Sequence, residues 1–179
     1  MLLRAVNVGG RTLKSAVWAT ILSGISPAAL PVGTSGNAVL EAPDRLSPAV
    51  LEERIEKTLK ASVGYQADAF VRTLAEWDRL IGRNPFPQAA VEDPAHLVMT
   101  VLKAAPAPGA WSTLRDAIQG REQTAPGERA AYVVYPDGIG TSKLTAVAIE
   151  QALGVRGTSR NWNTVLRLRD LARSWAPPP

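Results

Sequence analysis

The sequence predicts an α+β protein, with a mixed or antiparallel sheet and helices packed on it. Short β-branched and aromatic runs alternate with segments whose apolar residues recur every three or four positions. The alternation is not the even strand-helix-strand rhythm of a parallel sheet, because two strands and then two helices follow one another late in the chain. Apolar residues make up 46% and charged residues 20% of the 179 positions, an ordinary balance for a globular chain with a good core.

Leu2 to Val8 reads as a strand closed by Gly9-Gly10. Thr12 to Leu22 follows as a helix with Leu13, Val17 and Ile21 on one face. Pro27, Pro31 and Gly33 break the chain before a strand at Ala38-Val39-Leu40. Ser47-Pro48 opens the clearest helix, with serine as N-cap, proline at the first position, and Leu51, Ile55 and Leu59 at four-residue spacing up to Gly64. Ala67 to Arg72 is the next strand, and Thr73-Leu74-Ala75-Glu76 is a capping box that starts a short helix.

His96 to Leu102 is a strand and Ala110 to Gln119 a helix. Gln123 and Arg129 to Tyr135 form a hairpin turning at Pro126-Gly127. Helices at Ser142 to Leu153 and Asn161 to Trp175 finish the chain. The expected organisation is one domain over residues 1–175, with ferredoxin-like halves at 1–83 and 84–175. Ala176-Pro177-Pro178-Pro179 is expected to be a disordered tail.

Composition excludes several classes. There is no cysteine, so disulfides, thiolate zinc sites and a cysteine nucleophile are ruled out. The formal charge is +4, and five arginines (156, 160, 167, 169 and 173) against Asp170 place the whole excess after Gly154. Such a basic segment suits nucleic acid, an acidic partner or plain solvent. Arg4, Arg11 and Lys14 ahead of the apolar run Ala16 to Ile25 imitate a signal peptide. Thr20, Ser23 and Gly24 make that run too polar to span a bilayer, so a cytoplasmic protein without membrane contact is expected.

Catalytic and metal patterns are weak. His96 is the only histidine, and no serine sits in a nucleophile elbow. Glu52, Glu53 and Glu56 read as a solvated helix face, and no metal-ligand spacing is present. Gly138-Ile139-Gly140-Thr141-Ser142-Lys143 fails both phosphate-loop patterns: serine precedes the lysine, and a third glycine is missing. What survives is Thr141 or Ser142 as an N-cap with Lys143 at the positive end of a helix, where a bound anion would offset the unfavourable lysine. In the second polar cluster, Arg160, Asn161, Trp162 and Asn163 combine a bidentate donor, two amides and a ring. Trp162 is expected in the core and Asn161 as a helix cap, with Arg160 and Asn163 the better ligand candidates.

Five segments together carry a resemblance. They are Leu2 to Gly10, Ser35-Gly36-Asn37, Asn84-Pro85-Phe86, Tyr135-Pro136-x-Gly138-x-Gly140-x-Ser142-Lys143-Leu144-Thr145, and Thr158-x-Arg160-Asn161-Trp162-Asn163-Thr164. In this order they are similar to the domain-of-unknown-function family numbered 1697. The resemblance implies a bacterial-type, soluble α+β protein with ferredoxin-like substructure, and it implies no activity or cofactor. Ala29 to Thr34 departs from the family pattern, and Pro31 there would damage a central strand.

These motifs are polar or glycine-rich and fall at strand ends and helix starts. The expected site is therefore a cleft for an anionic ligand, either a nucleotide-like molecule or nucleic acid phosphate. Arg4, Asn7, Gly9 and Asn37 would line it from the first half. Gly138, Gly140, Ser142, Lys143, Arg160, Asn161 and Asn163 would line it from the second. The alternatives are a small-molecule enzyme using Lys143 or Arg160 for charge stabilisation, and a structural or interaction protein.

Overall fold

The computed structural model describes residues 1–7, 9–10, 12–42 and 46–175, and their fold is α+β. The chain divides into two compact units: Met1–Glu76 with Leu168–Pro179, and Trp77–Arg167. The proline-rich tail and Val8 lie outside the described residues.

The first unit begins with β1 (Leu2–Leu3), α1 (Ser15–Ser23), β2 (Ala29–Val32), β3 (Asn37–Leu40), α2 (Pro48–Val63) and β4 (Ala69–Phe70). β1 pairs antiparallel with β4, and β2 with β3. Two backbone hydrogen bonds of 3.0 Å, Leu3 N to Gly36 O and Ala38 N to Met1 O, join β1 to β3. Neighbouring strands therefore succeed one another as β2-β3-β1-β4. Ser47 caps α2 by accepting from Val50 N at 3.3 Å, and Leu51, Ile55 and Leu59 bury their face against Trp18, Leu22 and Ala69.

Several expectations are corrected here. The first strand is two residues long, because Ala5 and Asn7 turn the backbone into the left-handed region at φ 56° and 59°. In α1 the buried residues are Trp18, Ile21 and Leu22, while Val17 faces water. Residues 29–32 form a strand after all. Pro31 is tolerated because, among the described residues, β2 pairs with β3 alone and the missing N–H falls on the side away from it.

Glu52 and Glu56 are not a solvated face. Glu52 Oε1 accepts from Val71 N at 2.7 Å and Glu56 Oε1 from Ala69 N at 2.9 Å. Among the described residues β4 pairs only with β1, so alternate N–H groups on its other side need acceptors. Two glutamates four residues apart on α2 supply them.

The second part of the chain runs through α3 (Leu74–Gly82), α4 (Pro87–Glu92), β5 (Leu97–Leu102), α5 (Ala110–Asp116), β6 (Gln123–Gly127), β7 (Ala130–Val134), α6 (Ala146–Leu153), β8 (Gly157–Asn161) and α7 (Trp162–Ser174). The unit boundary falls inside α3 and α7. The capping box is formed: Thr73 N donates to Glu76 Oε2 at 2.8 Å and Glu76 N to Thr73 Oγ1 at 3.1 Å. Four strands make one antiparallel sheet in the order β6-β7-β5-β8.

Here too the sequence reading needs correction. The hairpin turns at Glu128-Arg129, where Arg129 takes φ 51°, because Pro126 and Gly127 are still paired with β7. Residues 157–161 form an edge strand on β5 rather than a lead-in to the last helix. Gly-Thr-Ser-Arg-Asn has no apolar alternation, so the strand is invisible until β5 supplies its hydrogen bonds.

The same order of elements occurs in both units. β1-α1-β2-β3-α2-β4 matches β5-α5-β6-β7-α6-β8, with equivalent strand neighbours. The local chemistry repeats as well. Ser47 and Thr145 cap the second helix of each unit. Glu52 and Glu150 each accept a backbone N–H of the last strand or the residue after it. Arg72 and Arg160 each donate Nη1 to the carbonyl of the preceding residue at 2.7 Å.

Candidate functional site

The sequence-predicted site residues fall into two groups, one in each unit. In the first unit they surround the end of β1. Arg4 Nη1 lies 3.6 Å from an oxygen of Asp68. Asn7 donates Nδ2 to Thr34 O and accepts from Leu13 N, both at 2.6 Å, so its amide staples two loops. Asn37 is buried in β3, and its carbonyl accepts from Trp18 Nε1 at 3.4 Å. Gly9 takes φ 59° with open space around it. These contacts hold the unit's own loops together.

In the second unit the candidates gather at one end of the sheet. β7 leads into residues 135–145, and β8 leads into Trp162 and Asn163. Both strands flank β5 and run antiparallel to it, so both finish where β5 starts. Tyr135 N donates to His96 O at 3.0 Å and Trp162 N to Pro94 O at 3.1 Å. The two polar motifs thus stand on either side of residues 94–96. At the usual strand spacing they are about 10 Å apart.

Within the first motif, Gly138 takes φ 89° and its N donates to Tyr135 O at 3.0 Å. Thr141 Oγ1 donates to Asp137 O at 2.8 Å. Ser142 donates to Glu122 and accepts from Leu144 N at 3.0 Å. Neither Thr141 nor Ser142 caps a helix. α6 starts only at Ala146, because Thr145 accepts from Ala148 N at 3.2 Å and the preceding residues are held in turns. Lys143 therefore precedes the helix rather than sitting in its first turn, and it is exposed, as is Gly140.

Arg121 pairs with Asp137 through Nε at 3.0 Å to Oδ2 and through Nη2 to Oδ1. This pairing holds the Asp137 carboxyl below its ordinary range. The Ser142 hydroxyl, followed by backbone N–H groups, does the same for Glu122. A carboxylate lowered in the folded state stabilises it above the ordinary carboxylate range and loses that contribution as pH falls through the lowered value. We expect residues 137–143 to loosen in acid, with the Asp137 and Glu122 carboxyl carbons titrating in NMR spectra below the ordinary carboxylate range. Titration at or above that range would contradict these contacts.

In the second motif, Arg160 is largely buried, and desolvation lowers its guanidinium to about 10. It therefore stays charged at neutral pH. Its Nη1 donates to Thr158 Oγ1 at 2.9 Å and Ser159 O at 2.7 Å, which commits that nitrogen to the protein. Asn161 Oδ1 accepts from Thr164 N at 3.0 Å and caps α7, and Trp162 is core. Asn163 is exposed.

Sequence reasoning set His96 aside, yet it lies between the two motifs. Its Nδ1 is 2.7 Å from Asp93 Oδ2. A Cβ built on Gly138 would stand 3.8 Å from its Nε2. The one available signal was the Asp93-x-x-His96 spacing, which reads as an ordinary turn.

Among the described residues, no group of three or more His, Asp or Glu side chains is placed to hold a metal ion. No helix there is long and apolar enough to cross a membrane.

The fold and the clustering of polar motifs at strand ends define an α+β protein with a repeated six-element unit. The chain belongs to the family of proteins of unknown function DUF1697, which it matches over residues 1–132. That span ends inside β7, so the 135–145 and 158–164 motifs lie beyond the matched residues. No curated protein and no solved structure matches the chain.

Proposed function

We propose that the second unit binds an anionic ligand of nucleotide-like size at the sheet end where β7 and β8 finish. The observation that carries this reading is that the two polar motifs, some twenty residues apart in sequence, leave strands on either side of the β5 start. Lys143 supplies exposed positive charge, Asn163 an amide, and the glycine loop lets a ligand approach the backbone. Arg160, in β8, adds a largely buried charge to the second motif. The strand orders support reading both units as ferredoxin-like. A reducing, cytoplasmic setting in a bacterial cell belongs to the same reading and suits a chain without cysteine.

The basic segment after Gly154 makes nucleic acid phosphate the larger relative of this ligand. Titrating nucleotides and short oligonucleotides at two salt concentrations tests the proposal. Saturable, salt-weakened binding is expected, reduced about tenfold in Lys143→Ala by loss of one charge-assisted contact. Absence of salt-sensitive binding to any of these anions overturns it.

A further inference from the structure

We propose that His96 is a ligand-contacting residue of this same site, and that the ligand is a hydroxyl-bearing anion of the sugar-phosphate or nucleotide class. The proposal rests on the anion reading above and adds a second, neutral contact to it.

An ionised carboxylate can only accept a hydrogen bond, so the 2.7 Å contact with Asp93 Oδ2 places the ring proton on Nδ1. In the neutral form of the ring this leaves the lone pair at Nε2. Among the described residues no protein group hydrogen-bonds that nitrogen, and the side chain is 42% exposed.

Nε2 faces Gly138, where no side chain screens it. A residue with a Cβ would be strained there at φ 89°. The backbone around the ring is anchored on three sides: His96 N to Asp93 O at 3.1 Å, Tyr135 N to His96 O, and Trp162 N to Pro94 O. The backbone that carries the ring is therefore held between β7 and β8 at this sheet end.

The surrounding groups narrow the chemistry. Arg121 pairs with Asp137 and Ser142 donates to Glu122 Oε1, while Glu122 Oε2 is buried without a hydrogen-bond partner among the described residues. Lys143 offers a positive charge for an anionic group. Nε2 offers an acceptor, which a fully deprotonated phosphate group cannot use but which a ligand hydroxyl can. A molecule bearing both groups satisfies both contacts, whereas an alkyl phosphate satisfies one.

The test compares ribose 5-phosphate with methyl phosphate as probes for the full chain, His96→Ala and Lys143→Ala, with melting curves recorded for each. The natural chain is expected to prefer ribose 5-phosphate about tenfold, the worth of one hydrogen bond. His96→Ala is expected to lose that preference while holding methyl phosphate as before, and Lys143→Ala to weaken both probes. If His96→Ala keeps the preference while Lys143→Ala weakens both probes, the role of His96 is overturned and the anion site stands. If the natural chain binds neither probe, both readings fall.

Discussion

Glu52→Ala is expected to lower the stability of the protein by about 3–5 kcal/mol, the usual consequence of removing one partner from a buried charged contact. Glu52 projects from α2 onto the unpaired side of β4, where its Oε1 takes the Val71 N–H at 2.7 Å and lies 3.6 Å from Arg72 Nη1. Both side chains are nearly closed to solvent, at 9% and 4% exposure. Alanine withdraws the acceptor and the negative charge together. Glu52→Gln keeps an acceptor for Val71 and is expected to cost clearly less. Chemical denaturation of the three proteins measures this, and a loss below about 1 kcal/mol in Glu52→Ala would show that the contact is not a buried one.

Gly36→Ala is expected to cost about 2–5 kcal/mol, combining overpacking of about 1–3 kcal/mol with about 1–2 kcal/mol for a left-handed backbone. A Cβ at this position would stand 2.8 Å from both Leu3 Cβ and Val6 Cγ2, and φ is 70°. Gly36 is also where β1 meets β3, through its carbonyl and Leu3 N. The neighbouring Leu3 Cβ is fixed to the backbone and cannot swing away. Thermal melting gives the result, and an unchanged melting temperature would mean that β1 does not approach β3 this closely.

The legibility of the chain in sequence followed local chemistry. The Ser47-Pro48 start, the Thr73–Glu76 box and the helix end at Gly64 were readable because each is satisfied within four residues. β5 and β7 were readable because they are buried and nearly uninterrupted in apolar residues. β2 and β8 were not. Each is an edge strand with weak patterning, one containing a proline and the other almost wholly polar, and each exists through the partner that hydrogen-bonds it.

The site divides in the same way. Asn161 was readable as a cap, since its acceptor role toward Thr164 spans three residues. The start of α6 was misplaced because Ser142 spends its hydroxyl on Glu122, twenty residues away, and leaves the cap to Thr145. The place of His96 between the two motifs is not legible in sequence, because the strands on either side of it are brought there by pairing and not by its neighbours along the chain.

The sequence alone determined the α+β class, the helix caps, the absence of thiol chemistry and the polar identity of the motifs. Tertiary structure decided which carboxylates serve an edge strand, which motifs share a sheet end, and that a lone histidine lies between them. Caps and periodic faces are set by energies between residues a few positions apart. Strand neighbours and long-range polar partners are set by backbone groups that must be satisfied wherever the chain happens to bring them together.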